Sequence, residues 1–206
     1  MTRVGRPRTV NTMDAFFDRW SEIIRANTGT GREIEIRFGK LNRGSFDTNV
    51  TKDTYDKVLR RLRKYDGWEH VEETDTSNFY YDRNRRVTYD NVKGDISECV
   101  IKQRVLVDDV SLKGELFDVR LGVSTETPCE HVEDEEYTKV RNRKRVSFLR
   151  KDLRIDVTAV SGDPDDPDSE NETEYQVELE LLRIPETRHE LYNMVYKVFD
   201  VLKIAG

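Results

Sequence analysis

The segment REIEIRFGK, residues 32–40, alternates strictly between polar and apolar residues. This period-two alternation predicts a β-strand with one dry face and one polar face. The polar face carries Glu33 and Glu35, whose carboxylates stand roughly 7 Å apart by the strand rise and repel each other. An ordinary wet sheet face tolerates this repulsion weakly, whereas a bound metal ion would favour the arrangement.

The same alternation recurs in six further segments, in which apolar residues share one face and ionic or hydroxyl residues share the other. These segments are residues 85–90, 98–107, 117–126, 141–148, 153–160 and 175–182. Helices can cover the apolar faces, and the ionic faces meet each other if the sheet closes. The pattern therefore predicts a mainly β fold of the α+β type, in which a closed barrel encloses charged side chains.

Helical periodicity predicts three amphipathic helices around these strands. They cover residues 12–27, with Thr12 as the cap, residues 51–65, and residues 186–203 after Pro185. Residues 1–11 are basic and predict a flexible tail. The acidic segment 161–172 contains prolines and predicts a loop. Residues 12–206 are thus expected to form one domain.

Composition narrows the functional classes. Charged residues make up 37% of the chain and hydrophobic residues 35%, so much charge must be accommodated inside the fold. The net charge of −6 argues against a broadly basic nucleic-acid coat protein. Cys99 and Cys129 form no CxxC motif and the histidines lack metal-ligand spacing, which disfavours a zinc site or a disulfide scaffold.

A reducing, intracellular compartment fits this cysteine usage. The sequence contains no apolar run of transmembrane length and no signal peptide, so no membrane contact is expected.

The acidic and basic residues on the polar faces are sorted along the chain. Acids fall on the first and last strands, as Glu33, Glu35, Glu178 and Glu180, while bases fall on the middle strands. If the terminal strands adjoin, four carboxylates gather, and Mg²⁺ or Mn²⁺ would neutralise them. The basic strands fit a polyanion with phosphate oxygens. The alternative is an open sheet whose wet face carries cross-strand salt bridges, but the sorting favours an enclosed site.

Four stretches in order carry a family resemblance, namely EIEIRFG (33–39), RNRKRVSF (141–148), RIDVTAV (154–160) and QVELELL (176–182). They resemble the motifs of the triphosphate tunnel metalloenzymes, above all the metal-dependent RNA 5′-triphosphatases of fungal, protozoan and large-DNA-virus mRNA capping. The resemblance implies an eight-stranded antiparallel β-barrel with flanking helices. It also implies removal of the γ-phosphate from triphosphate-ended RNA, side activity on nucleoside triphosphates, and a guanylyltransferase partner. A viral source would place the protein in the nucleus or cytoplasm of its host.

The resemblance also implies three groups of site residues. The metal ligands are Glu33, Glu35 and Glu180. The phosphate contacts are Arg86, Lys102, Arg104, Arg143, Arg145 and Arg154. Glu126 directs the attacking water, Glu178 supports the ligand shell or the water, and Asp156 locks Arg154. Arg37 and Thr158 are supporting residues. Two departures from the motifs are Gln176, where glutamate is usual, and Arg143, where lysine is common.

Two other functions stay open at this stage. A tunnel enzyme for thiamine triphosphate or inorganic polyphosphate usually has E-x-E-x-K on the first strand, whereas Arg37 replaces that lysine here. A non-enzymatic barrel for single-stranded RNA needs aromatic residues on its binding face. Phe38, Phe117 and Phe148 instead fall on the apolar face. The sequence contains no Cys-x₅-Arg loop and no P-loop, so direct attack by water is the expected mechanism.

Overall fold

The computed structural model describes residues 2–3, 8–10, 13–27, 29, 31–132, 135–162 and 172–206. Within these residues the three predicted helices are present, as α1 (Met13–Arg25), α2 (Lys52–Arg63) and α3 (Arg188–Ala205). None of the helices in the described ranges is long and apolar enough to cross a membrane.

Strands make up most of the remaining described chain. They are β1 (Thr2–Arg3), β2 (Arg8–Val10), β3 (Arg32–Asn42), β4 (Ser45–Asp47), β5 (His70–Tyr80), β6 (Arg85–Asp90), β7 (Asp95–Leu112), β8 (Asp118–Pro128), β9 (Lys139–Arg150), β10 (Leu153–Ser161) and β11 (Glu174–Leu181). Eight of them close into a barrel in the order β3-β8-β7-β6-β5-β9-β10-β11, with every neighbouring pair antiparallel. The predicted closed eight-stranded antiparallel barrel is confirmed.

The barrel closes where the first long strand meets the last. β11 pairs with β3, which sets Glu180 opposite Glu35 and Glu178 opposite Arg37. On its other edge β3 pairs with β8 from Arg32 to Gly39. The predicted contact between the N-proximal and C-proximal strands is therefore present.

The described parts of the N-terminal segment form the two short strands β1 and β2, and the flexibility of this segment stays a prediction. β1 and β2 pair in parallel with β7. β7 is long enough for this, because β6 pairs with only its first half, up to Ile101. The rest of that edge would otherwise present unpaired backbone groups, and the two short strands cover it. The other residues of the predicted tail lie outside the described residues.

The helix boundaries shift slightly from those predicted. α3 begins at Arg188 rather than at residue 186, because Thr187 is its N-cap and forms a reciprocal capping box with Glu190. The predicted cap of α1, Thr12, lies outside the described residues, as does most of the predicted acidic loop at 161–172.

The hydrophobic core lies between the outer surface of the barrel and the helices. Phe16 and Trp20 of α1 and Val195 of α3 are fully buried, as are the outward-facing Ile36 and Leu121 of the barrel. Burial of apolar side chains such as these is the main favourable contribution to folding. The barrel interior is thereby left to polar residues.

A buried ion pair ties α1 to the barrel. The carboxylate of Asp108 on β7 accepts hydrogen bonds from Arg19 Nε at 2.7 Å and from Trp20 Nε1 at 3.2 Å. We expect Asp108→Ala to lower the free energy of unfolding by about 3 kcal/mol, because it removes the buried acceptor of both groups. Urea denaturation measures this change. Asp152→Ala, which breaks an exposed pair with Arg183, is the control and should cost less than about 1 kcal/mol. Equal losses in the two variants would contradict the anchoring role of Asp108.

Candidate active site

A cavity of about 320 Å³ lies inside the barrel, and every side chain that lines it is charged. Six are acids: Glu33, Glu35, Glu98, Glu126, Glu178 and Glu180. Six are bases: Arg37, Arg86, Lys102, Arg143, Arg145 and Arg154. The formal charges balance, so neither sign is left without counter-charge in the enclosed space.

One lysine lies among three carboxylates at the acidic side of the cavity. Lys102 Nζ is 2.5 Å from Glu33 Oε2, 3.0 Å from Glu126 Oε1 and 3.9 Å from Glu35 Oε2. Ser124 Oγ also donates a hydrogen bond to Glu33 Oε2, at 3.0 Å. The acids come from β3 and β8 and the lysine from β7, so three consecutive barrel strands build this group.

Glu180 is an acid whose carboxyl group is harder to ionise than in water. Burial raises the pKa of its carboxyl group to about 7. The ion pair with Arg154 opposes that rise, and the negative charge of Glu33 adds to it. A carboxyl group in this state gains from any cation that reaches it, because the cation offsets the cost of charging a buried acid.

Asp156 and Thr158 hold the basic side from behind the cavity wall. Asp156 Oδ2 contacts Arg145 Nη1 at 2.9 Å and Arg154 Nε at 3.2 Å. Asp156 Oδ1 accepts a hydrogen bond from Ser147, and Thr158 Oγ1 accepts one from Arg145 Nε. These contacts fix the two guanidinium groups without occupying the ends that face the cavity.

Of the three arginines that pair with Glu178, Arg143 lies farthest from a carboxylate oxygen. Its nearest carboxylate oxygen is Glu178 Oε2 at 4.0 Å, and its buried Nε has no hydrogen-bond acceptor among the described residues. Burial, together with the positive charge of Arg145, lowers the pKa of the Arg143 guanidinium. A buried cation in this state favours an incoming anion.

Glu178 is the acid that these bases share. Burial alone would raise the pKa of its carboxyl group, but Arg37, Arg143 and Arg145 outweigh burial and lower the pKa to about 2. Arg37 Nε lies 2.8 Å from Glu178 Oε1 and its Nη2 bonds Glu35 at 3.0 Å. Glu178 therefore stays ionised and holds the arginines around it.

This shift predicts how stability depends on pH. A depressed pKa stabilises the fold above the ordinary value of 4.5, and that contribution is lost as the pH falls towards 2. We expect wild-type protein in EDTA to lose on the order of 3 kcal/mol more than Glu178→Gln across this range. Urea denaturation along the pH series measures the difference. Parallel curves for the two proteins would contradict the shift, and Glu174→Gln, on the same strand, is the control.

The cavity contains all but three of the predicted site residues. Asp156 and Thr158 lie behind the wall, as described. Arg104 lies outside the cavity lining and its side chain is exposed, so its contact with phosphate stays a prediction. The pairing of β7 with β8 shifts register just after Arg104, between Arg104 and Leu106.

The carboxylates fit a hard divalent cation chemically. Glu33, Glu35 and Glu180 supply oxygen ligands to one cavity, and Glu35 and Glu180 are direct cross-strand neighbours. No group of three or more Asp, Glu, His or Cys side chains in the described chain is already arranged as a metal site. The ion pairs explain this, because Lys102 and Arg154 hold the same carboxylates. An entering cation would have to replace those contacts.

Comparison with known proteins identifies the family of this chain. The profile of the family "mRNA capping enzyme, beta chain" matches residues 42–192. The chain belongs to this family. Within the capping enzyme beta-chain family, the subunit beta of Cryptococcus neoformans is 33% identical to it over 101 residues. That match covers 48% of this chain but 25% of the relative, so the chain aligns with only a quarter of that protein.

Two solved structures share the fold of this beta-chain family member. The S. pombe Pct1 RNA triphosphatase superposes with a TM-score of 0.76 at 18% identity, covering 97% of this chain and 94% of Pct1. The RNA triphosphatase domain of the mimivirus capping enzyme superposes with a TM-score of 0.66 at 16% identity, covering 94% and 97%. At these identities the similarity establishes the tunnel fold alone.

Sequence reasoning missed three residues of the site in this capping-family barrel. Glu98 lines the cavity and accepts a 2.7 Å hydrogen bond from Arg86. Glu98 lies four residues before Lys102, so the alternation along β7 puts both on the inward face and could have identified Glu98. Ser124 donates a hydrogen bond to Glu33, and the alternation of residues 117–126 indicates only that it lies on the polar face. Gly122 lies opposite Glu35, and no side-chain pattern marks a glycine as part of a site.

Proposed function

We propose that this chain is a metal-dependent RNA 5′-triphosphatase. It hydrolyses the γ-phosphate of triphosphate-ended RNA to give a diphosphate end and phosphate, and it accepts nucleoside triphosphates as side substrates. The observation that carries the proposal is the enclosed cavity in which a carboxylate group adjoins a group of arginines. Cation ligands beside phosphate ligands are the requirement of phosphoryl transfer to water. The family match and the fold support the same conclusion.

Glu33, Glu35 and Glu180 are the proposed ligands of the cation, Mg²⁺ or Mn²⁺. A cation bound there supplies Lewis-acid stabilisation of the charge that develops on phosphate oxygens. Lys102 and Arg154 now pair with Glu33 and Glu180, and they would give up these contacts to a bound cation. Both bases would then be free to reach the triphosphate, which suits their predicted role as phosphate contacts.

The terminal phosphate is proposed to bind to Arg143, Arg145 and Arg154. Asp156 orients two of them, and Arg143 contributes the least compensated charge. Forked guanidinium donors match several phosphate oxygens at once. Arg86 and Lys102 are the proposed contacts on the opposite wall. They also contact Glu126, at 3.4 and 3.0 Å.

Water is the proposed nucleophile, attacking in line with the departing diphosphate. Glu126 projects into the cavity from β8 and accepts contacts only from bases in the described structure. Once these bases turn to the phosphates, its carboxylate is available to orient the water. Glu178 takes a supporting role, since its charge is committed to three arginines.

The deciding experiment measures phosphate release from γ-labelled triphosphate RNA with Mg²⁺, with Mn²⁺ and with excess EDTA. We expect release with either cation and none in EDTA, with activity restored when the cation is added back. Full activity in EDTA would contradict the proposed cation site. Parallel assays with thiamine triphosphate and inorganic triphosphate separate the RNA enzyme from the other tunnel branch, which would prefer those substrates.

An RNA-binding barrel without catalysis is less well supported. Stacking needs aromatic side chains in the binding channel. The cavity lining formed by the described residues contains no aromatic ring, and Phe38, Phe117 and Phe148 are buried. RNA bound tightly in the presence of Mg²⁺ but never hydrolysed would favour this alternative.

The proposed reaction also suggests its cellular context. A 5′-diphosphate RNA end is the acceptor for a guanylyltransferase, so an enzyme of that class is the proposed functional partner. This places the protein inside the cell, in the nucleus or the cytoplasm. The S. pombe Pct1 RNA triphosphatase has been solved in complex with the Spt5 CTD.

Gly122 provides a test of how closely the cation site is built. A Cβ added there would lie 3.0 Å from Glu35 Oε1 and 3.2 Å from its Cγ, so the carboxylate would have to move. We expect Gly122→Ala to weaken Mn²⁺ binding roughly tenfold, because small displacements of a preorganised group are costly. Titration calorimetry measures the affinity. Gly29→Ala, where the added methyl group meets nothing closer than 3.8 Å, is the control. Wild-type affinity in Gly122→Ala would contradict this role.

A further inference from the structure

Cys99 and Cys129 are neighbours across the edge of β7 and the end of β8. The strand register sets Val100 opposite Pro128, which makes the two cysteines the next facing pair. Cys129 N donates to Cys99 O at 3.0 Å, and the two Sγ atoms are 2.6 Å apart. Facing residues of antiparallel strands have Cα atoms about 4.5–5.5 Å apart, which is within the range that a disulfide bridges.

The pair lies on the outside of the barrel. Glu98 lines the tunnel, so the adjacent Cys99 points to the opposite face of the strand. Both cysteines are free and partly exposed, which leaves them accessible to small oxidants. Arg85 lies near Cys99 and forms an ion pair with Glu135, in the loop between β8 and β9. The tunnel chemistry therefore does not use these thiols.

We propose that Cys99 and Cys129 form a reversible disulfide when the thiol pool is oxidised. The oxidant class is a low-molecular-weight disulfide such as oxidised glutathione. One protein thiolate attacks a glutathione sulfur, the glutathione disulfide breaks, and the first glutathione leaves with the displaced proton. The second cysteine sulfur then attacks the protein-bound sulfur and expels the second glutathione. Two protein thiols are oxidised by two electrons, and one glutathione disulfide is reduced to two thiols.

The bond would tie two strands that carry tunnel residues. Lys102 and Glu126 face each other three residues from the respective cysteines, on the same pair of strands. Closing the covalent loop between residues 99 and 129 restricts the unfolded chain. Burial and the contact with Cys129 raise the pKa of the Cys99 thiol to about 11, so exchange is slow at neutral pH and accelerates as the pH rises. These slow rates fit a disulfide that stabilises the fold during oxidative stress better than they fit a rapid redox switch.

Intact-protein mass spectrometry tests the proposal independently of the triphosphatase activity. After incubation with oxidised glutathione, the wild-type chain is expected to lose the mass of two hydrogen atoms and both reactive thiols, and dithiothreitol should restore them. Cys99→Ser and Cys129→Ser should each carry one glutathione adduct instead. Two adducts on the wild-type chain, or two thiols that remain reduced, would overturn the proposal.

Thermal unfolding tests the tie between the strands. Oxidation is expected to raise the melting temperature of the wild-type chain by roughly 5–10 °C and to leave the Cys99→Ser, Cys129→Ser double variant unchanged. A disulfide that forms without this rise would overturn the inferred link between β7 and β8.

Discussion

Replacing Arg143 with methionine is expected to slow phosphate release at least about a hundredfold while leaving the fold as stable as the wild type, or more stable. The guanidinium is buried, its Nε lacks an acceptor among the described residues, and its nearest carboxylate is 4.0 Å away. Without substrate this charge is a cost to folding. With substrate it supplies donors to the terminal phosphate, so activity and stability should respond in opposite directions.

Arg141→Met is the matched control for this prediction. Arg141 lies two residues earlier on the same inward face of β9, but it pairs with Glu174 at 3.1 Å and does not line the cavity. Its loss should change kcat/KM little. Steady-state assays and urea denaturation of both variants make the comparison. A marked loss of stability in Arg143→Met would indicate that this arginine is a structural counter-ion of Glu178 rather than a substrate contact.

The alternation of residues was sufficient to identify seven of the eight barrel strands. β5 is the exception, because its sequence HVEETDTSNFY has few apolar residues and no periodic apolar face. None of its residues lines the charged cavity. Its outer face carries the exposed Val71 and Glu73 and the half-buried Asp75, Ser77 and Phe79. A strand that is polar on both faces leaves no hydrophobic signal, and its presence follows only from the need to close the barrel.

The side chains that enter the tunnel could be predicted from parity, but their partners could not. The alternation along each strand predicts that Glu180 and Lys102 both face inward. It does not say that the lysine meets Glu33 and Glu126, while Glu180 meets Arg154. Those pairs depend on the register between strands that are distant in sequence. The register shift between Arg104 and Leu106 on β7 is another feature that the alternation does not reveal.

The balance of charge explains why such a cavity can exist before any ligand binds. An isolated buried charge costs several kcal/mol, and an unbalanced set would drive the barrel to open or the acids to protonate. Cross-strand ion pairs prevent this. Several bases, such as Lys102 and Arg86, contact more than one carboxylate. In the proposed function, a cation and a phosphate would replace these internal counter-ions.

Lys102→Met tests this exchange directly. The ammonium group lies where the glutamates of β3 and β8 converge, so it competes with any cation for Glu33 and Glu35. Since a charged hydrogen bond contributes about 1.5–3 kcal/mol, we expect the variant to bind Mn²⁺ roughly tenfold to a hundredfold more tightly. Its metal-free form should be less stable than the wild type, because the carboxylates then repel one another without compensation.

Titration calorimetry with Mn²⁺ and thermal unfolding in EDTA separate these two effects of Lys102→Met. Lys144→Met is the control, because Lys144 is exposed on the outer surface and its ion pair among the described residues is with Asp75, at 3.7 Å. Phosphate release by Lys102→Met should fall despite the tighter cation, since the variant loses a proposed phosphate contact. Unchanged Mn²⁺ affinity would mean that the lysine and the cation occupy different places, and that the glutamates bind metal without releasing their internal counter-ion.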